Sequence, residues 1–254
     1  MTAAKEVHIG TMGWSYNFWT SGFYPTDLPP EHFLSEYAKH FNTVEVDNTF
    51  YRIPSKETVE KWRGQTSPNF LFSAKFPRRI THEKMLKDCE EVVKVFLERM
   101  SCLQDKLGPL LLQFPYAFKL EHVGLLRDML SRLPKANRYV VEVRNKKLLQ
   151  EEFYSLLREN KTALALVEQP FMPTIEVMTS DFTYIRLEGD RRKVTGTLGK
   201  VEIDKSDGIR VWAERIKKYL DLSVEVFVYF SKYYSGYPPA DVAQLTKLLS
   251  QVET

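Results

Sequence analysis

Phe41-Asn42-Thr43-Val44-Glu45-Val46-Asp47-Asn48-Thr49-Phe50-Tyr51 holds a strand-like run, Thr43 to Asn48, that closes on two carboxylates standing two residues apart. Alternate residues of a strand face the same side, so Glu45 and Asp47 project together. The ending recurs. Glu142 and Arg144 close one later run, and Arg186 and Glu188 close another. Two charged groups on one face need hydration, and in a barrel of parallel strands the mouth at the C-terminal strand ends is where they find it.

Eight such runs follow one another: Val7 to Thr11, Thr43 to Asn48, Phe70 to Phe76, Pro109 to Phe114, Tyr139 to Arg144, Ala163 to Glu168, Phe182 to Glu188 and Val224 to Phe230. Most are apolar on both parities, as strands covered on both faces must be. Helical patterns lie between them, opening at Pro30 and then spanning Ser55 to Gln65, His122 to Leu133, Leu148 to Asn160, Gly208 to Leu220 and Pro239 to Val252. A longer one begins at Asp88, with Glu91 as its capping-box partner, and carries Val92, Val93, Phe96, Leu97, Met100 and Leu103 as one apolar stripe. Strand and helix alternating eight times predicts an α/β fold, a single (β/α)8 TIM-barrel-like domain over 1–254. Pro170 and Pro173 predict that the sixth helix is abbreviated or missing.

A chain 43% hydrophobic and 27% charged has the composition of a globular protein and excludes a disordered or collagen-like one. No apolar run reaches the roughly 18 residues of a spanning helix. Lys5, Glu6 and His8 stand where a secretory leader would be apolar, so a cytoplasmic location is expected. Thirty-six Lys plus Arg against 33 Asp plus Glu leaves a net charge of only +3, so local clustering carries any argument for an anionic partner. Cys89 and Cys102 read as two positions on one helix, about 20 Å apart and beyond disulfide reach.

The strand ends place Glu45, Asp47, Glu142, Glu168 and Glu188 at the mouth with Lys75, Arg144 and Arg186, and Gln113 closes the fourth strand. Crowded carboxylates raise one another's pKa and nearby cations lower it, which suits acid–base chemistry; an ion-pair lattice capping the core is the structural alternative. The loop Pro77 to Lys84 concentrates Arg78, Arg79, His82 and Lys84 beside Lys75, and Arg52, Lys146, Lys147, Arg191, Arg192 and Lys193 fall in other strand-to-helix loops. Arginine forks suit phosphate or carboxylate. Aromatics cluster after the first strand from Trp14 to Tyr24, with Phe50 and Tyr51 after the second and Tyr233, Tyr234 and Tyr237 after the eighth. Packing the long first loop is the expected use of that first group; stacking on a base or sugar is the other. No nucleotide-cofactor, hydrolase or zinc motif is present. A magnesium or manganese ion on Glu45, Glu142, Glu168 and Glu188 is compatible with the carboxylates without being demanded by them.

Further blocks join these residues. Gly10, Thr11, Gly13, Trp14, Ser15 and Tyr16, then Phe23, Tyr24 and Pro25, then Phe41 to Glu45 with Thr49 to Tyr51, then Ile80, Thr81 and His82, then Leu107 to Pro109 with Gln113 to Pro115 resemble the domain-of-unknown-function family 72, also called YecE-like. The resemblance spans nearly the whole chain and implies a TIM-barrel-like fold, with no reaction attached. Asn145 and Glu188 stand where the resemblance would place histidines, and Ser231 and Lys232 where it would place paired asparagines, so a histidine mechanism at those positions is not carried over.

The expectation is an enzyme whose mouth binds an anionic, phosphorylated or nucleotide-like small molecule. Glu45, Glu142, Lys75 and His82 are its catalytic candidates. Trp14, Ser15, Asn48, Thr49 and Tyr51 are candidates to hold the substrate from the first two loops, and Arg79, Gln113, Arg144, Arg186 and Glu188 from the later ones. A nucleic-acid-binding or nucleic-acid-processing protein, motivated by the basic loops, and a non-catalytic ligand-binding barrel are the alternatives. No membrane partner is expected.

Overall fold

A computed structural model describes residues 6–251. Residues 1–5, read above for a leader, and Val252, placed at the end of the last helix, lie outside them. Eight parallel strands hydrogen-bond in chain order: β1 (Val7–Met12), β2 (Thr43–Val46), β3 (Leu71–Lys75), β4 (Leu107–Gln113), β5 (Tyr139–Glu142), β6 (Ala163–Glu168), β7 (Phe182–Leu187) and β8 (Glu225–Phe230). The barrel closes where β8 pairs with β1, from Val7 opposite Val226 to Thr11 opposite Phe230.

Seven α-helices surround it among the described residues: α1 (Phe33–His40), α2 (Lys56–Gly64), α3 (Glu90–Met100), α4 (Val123–Arg132), α5 (Glu151–Glu159), α6 (Ser206–Asp221) and α7 (Pro238–Ser250). Local chemistry sets several of their starts. The Ser55 hydroxyl accepts from the Thr58 amide to cap α2, and Pro238 opens α7, where its missing N–H costs nothing. No helix joins β6 to β7. Pro170 and Pro173 break the segment, and the Thr179 hydroxyl satisfies the β6 backbone instead, accepting from the Leu164 amide at 2.8 Å and donating to the Thr162 carbonyl at 2.7 Å. The capping box expected at Asp88 does not form. Asp88 has φ +46°, α3 starts two residues later behind Cys89, and Cys102 lies in a separate short turn, Ser101–Lys106. Both cysteines are free.

Hydrogen bonds across the barrel fix which parity faces its axis. Thr43 meets the Tyr229 hydroxyl at 2.7 Å, and Ser73 meets that of Tyr184 at 2.6 Å. Two residues further along β2, β3 and β7 come Glu45, Lys75 and Arg186, which therefore face inward at the next tier up. Met12, Leu111, Val140, Ala165 and Val167 fill the space between. The opposite parity packs on the helices: Ile185, Leu187, Val226 and Val228 bury against Ile209, Trp212 and Ile216 of α6. No helix among the described residues is long and apolar enough to cross a membrane.

Candidate active site at the barrel mouth

The top tier of the barrel is an ion network built on Arg186. Its guanidinium donates to Glu45 through two bonds, Nε to Oε2 at 2.9 Å and Nη2 to Oε1 at 2.7 Å, and Nη1 donates to Glu142 at 2.5 Å and to Glu188. Arg186, Glu45 and Glu142 are at most 1% exposed. A guanidinium has five donors in a plane, so one arginine can serve three carboxylates arriving from three strands. The Tyr184 hydroxyl adds a bond to Glu45 at 2.6 Å. Arg144 continues the network outward, with Nη2 2.9 Å from Glu188, Nε 2.5 Å from Glu142, and Nη1 donating to Gln169.

Above this floor opens a cavity of about 880 Å³. Its cations are unequally committed. Arg192 is held by Asp190 at 2.7 Å, whereas Lys75 lies 3.9 Å from Asp47 and Arg191 lies 3.9 Å from Glu188. Among the described residues Lys232 makes no carboxylate contact; its ammonium stands 5.1 to 5.7 Å from the rings of Tyr16, Phe18 and Tyr233.

Burial raises the pKa of Glu188, yet Arg186, Arg144 and Lys75 together outweigh it and hold the carboxyl at about 2. Burial pushes Glu45 up against the pull of Arg186, and Asp47 pushes the same way. His82 is lowered to about 4, first by burial and then by Lys75, Arg78 and Arg144, so it is neutral at pH 7. The neutral ring sits edge-on to Phe50 with centroids 4.9 Å apart, and the Lys75 ammonium lies 4.4 Å from the Phe50 centroid. Lys75 and His82 thus gather around one aromatic ring, with Asp47 3.9 Å from the Lys75 ammonium.

The expected site residues divide into three groups. Tyr51, Lys75, His82, Gln113, Arg144, Arg186 and Glu188 line the cavity. Glu45 and Glu142 are fully buried beneath its floor and do not line it. The rest are elsewhere. Trp14 packs edge-to-face on Trp62, and the Thr49 hydroxyl lies within hydrogen-bond distance of the carbonyls of Val46 and Lys75, where its one hydrogen braces β2 on β3. Ser15, Asn48 and Arg79 are exposed outside the cavity, and Arg78 takes the position expected of Arg79.

Glu168 also departs from the convergence expected of it. Val167 points inward, so Glu168 has the outward parity, and its Oε2 accepts from Trp212 Nε1 at 2.6 Å and from Tyr234 at 3.3 Å. The four-carboxylate metal set is therefore not assembled, because Arg186 occupies the middle of the other three. The one cluster with metal-ligand spacing among the described residues is Glu6, His8 and Glu225 at the opposite end of the barrel, where Arg138 already donates to Glu225 at 2.6 Å.

Several cavity residues had no strand-end signal: Tyr116, Gln169 and Phe171 come from connecting loops, and Tyr16 from the first loop. The rest of that first loop packs on itself as expected, with fully buried Trp19 against Tyr16, Phe23 and Tyr24 at 4.8 to 5.9 Å. Tyr51, Tyr116 and Phe171 stand around the opening 79, 68 and 72% exposed.

The profile of a family described as "Protein of unknown function DUF72" matches residues 8–254. UPF0759 protein YecE of Escherichia coli K12 is 38% identical over 139 residues, 55% of this chain and 48% of that protein, so the chain spans about half the length of this curated relative in the match. UPF0759 protein YunF of Bacillus subtilis is 27% identical over 229 residues, 82% of this chain and 76% of that one. The crystal structure of a DUF72 family protein from Thermotoga maritima superposes with a TM-score of 0.83 at 26% identity, covering 97% of this chain and all of that one.

Proposed function

This chain belongs to the DUF72 family, whose description names no reaction, and from the chemistry of its own barrel mouth we propose an enzyme that binds a small anionic, phosphorylated molecule there and moves a proton on it. One observation carries the reading. Lys75, Arg191 and Lys232 face one cavity, and among the described residues none of them has a carboxylate within hydrogen-bond distance. Like charges gathered without close counter-ions cost free energy that a bound anion relieves.

The proton-transfer groups within reach of such a ligand are Asp47 and His82. Glu188 is too acidic to serve as a base at neutral pH. Glu45 and Glu142 act through Arg186 and are positioning residues. An anion beside Lys75 offsets the charge that depresses His82, so binding strengthens the base at the moment it is needed. Calorimetric titration of the protein with inorganic phosphate and with ribose 5-phosphate tests the reading. Binding weakened about tenfold or more in the Arg191→Ala, Lys232→Ala double variant supports it. Absence of binding, or equal binding by the variant, refutes it.

A second reading draws on the exposed rings of Tyr51, Tyr116 and Phe171, which suit stacking of successive bases of a single strand. Salt separates the two. Oligonucleotide affinity through several phosphates falls by orders of magnitude between low and moderate salt, whereas a compact phosphomonoester responds far less.

A further inference from the structure

A second cavity of about 440 Å³ adjoins the first, sharing Gln169, Pro170, Gly189, Asp190 and Arg192 as their common wall. Its chemistry differs. Pro170, Val194, Ile203 and the ring of Tyr234 supply apolar sides, and Glu168 stands at its edge, 29% exposed. One oxygen of that carboxylate is fixed. Oε2 accepts from Trp212 Nε1 and the Tyr234 hydroxyl, while Oε1 lies 3.8 Å from the Lys205 ammonium and accepts no hydrogen bond among the described residues. A carboxylate held by two donors on one oxygen presents the other as an oriented acceptor without further ordering cost.

We infer that the side cavity binds a ring bearing an N–H donor, covalently joined to the anion held in the mouth, so that the ligand is of the nucleotide class and Glu168 reads the donor edge of its base. The inference rests on the anion-binding reading of the mouth and adds the second half of the ligand. The apolar walls exclude water from the ring faces, and Glu168 Oε1 rewards a donor while repelling an acceptor. The shared wall is narrow in sequence, the Gln169-Pro170 dipeptide on one side and the Gly189 turn on the other. The two cavities meet at these residues, and the sugar of the proposed ligand runs past them.

The test is calorimetry on the full chain with guanosine monophosphate and ribose 5-phosphate, for the wild type, Glu168→Gln and Ile203→Trp. Glu168→Gln can keep the Trp212 bond through its amide oxygen while turning an N–H toward the cavity; Ile203→Trp fills the ring's place from a partly exposed position. The wild type is expected to bind guanosine monophosphate about tenfold or more tighter than ribose 5-phosphate. Both variants lose that preference and keep their ribose 5-phosphate affinity. Equal affinity of the wild type for the two ligands, or a preference surviving in Ile203→Trp, overturns the side-cavity assignment and leaves the mouth reading standing. Failure of the wild type to bind either compound overturns both. If Glu168→Gln does not fold, Ile203→Trp alone decides.

Discussion

Arg186 and Glu45 meet across the top of the barrel as a two-bond ion pair, 2.7 and 2.9 Å long, with neither side chain more than 1% exposed. The pair arises from register. Strands β2 and β7 are not neighbours, but each presents an inward residue at the same height, and the guanidinium is long and flat enough to span the lumen.

Replacing Arg186 by Met strands Glu45, Glu142 and Glu188 without their common cation. Removing one partner of a buried ion cluster costs about 3–5 kcal/mol, which for a chain of this size lowers the melting temperature by roughly ten degrees. Adding Glu45→Gln to Arg186→Met is expected to restore part of the loss, because one uncompensated charge goes with it. Strictly additive losses in thermal melts would contradict the network account.

Glu188 gives stability an acid limb. Its folded-state pKa of about 2 lies below the ordinary value of 4.5, so above pH 4.5 the folded state holds the full benefit of the ionised carboxylate. Protonation of the unfolded chain removes that benefit as pH falls toward 2, a loss on the order of 3 kcal/mol. Urea unfolding of wild type and Glu188→Gln between about pH 6 and about pH 3 measures it. The wild type is expected to lose stability more steeply, and parallel curves would refute the assignment.

Gly189 lines both cavities at φ +70°, and a Cβ there would lie 2.1 Å from the Tyr233 carbonyl oxygen. Gly189→Ala must move the β8 loop as well as adopt a strained backbone, the strain alone costing about 1–3 kcal/mol. Lower thermal stability together with weaker phosphate binding is expected. Retention of both at wild-type level would show that the loop contact is dispensable.

The barrel was legible because strands and helices have fixed periods. Arg186 and Glu188, or Glu142 and Arg144, could be assigned to one face from spacing alone. Even Glu168 carried a sign of its different orientation, since its run ends in one charged residue and not in a pair two apart. Loops have no period. Residues Arg79–Glu83 wind into a single wide turn that directs Arg78 to the cavity and Arg79 to solvent, a choice set by packing of Ile80 and Thr81 beneath them. Tyr116 and Phe171 reached the rim by the same route. The burial of Glu45 and Glu142 was hidden for another reason: spacing says which way a side chain points and not how deep in the barrel it lies.

His82 offers the most direct test that an anion binds in this mouth. Its imidazole titration, followed by NMR in the wild type with and without saturating ribose 5-phosphate, reports occupancy and location together. The free protein is expected to titrate at about 4, and the ligand to shift that value upward as its charge offsets Lys75, Arg78 and Arg144. The Lys75→Ala variant is expected to start higher and move less. An imidazole pKa that is unchanged or lowered by ligand would contradict the placement of the anion beside Lys75, and with it the proposed function.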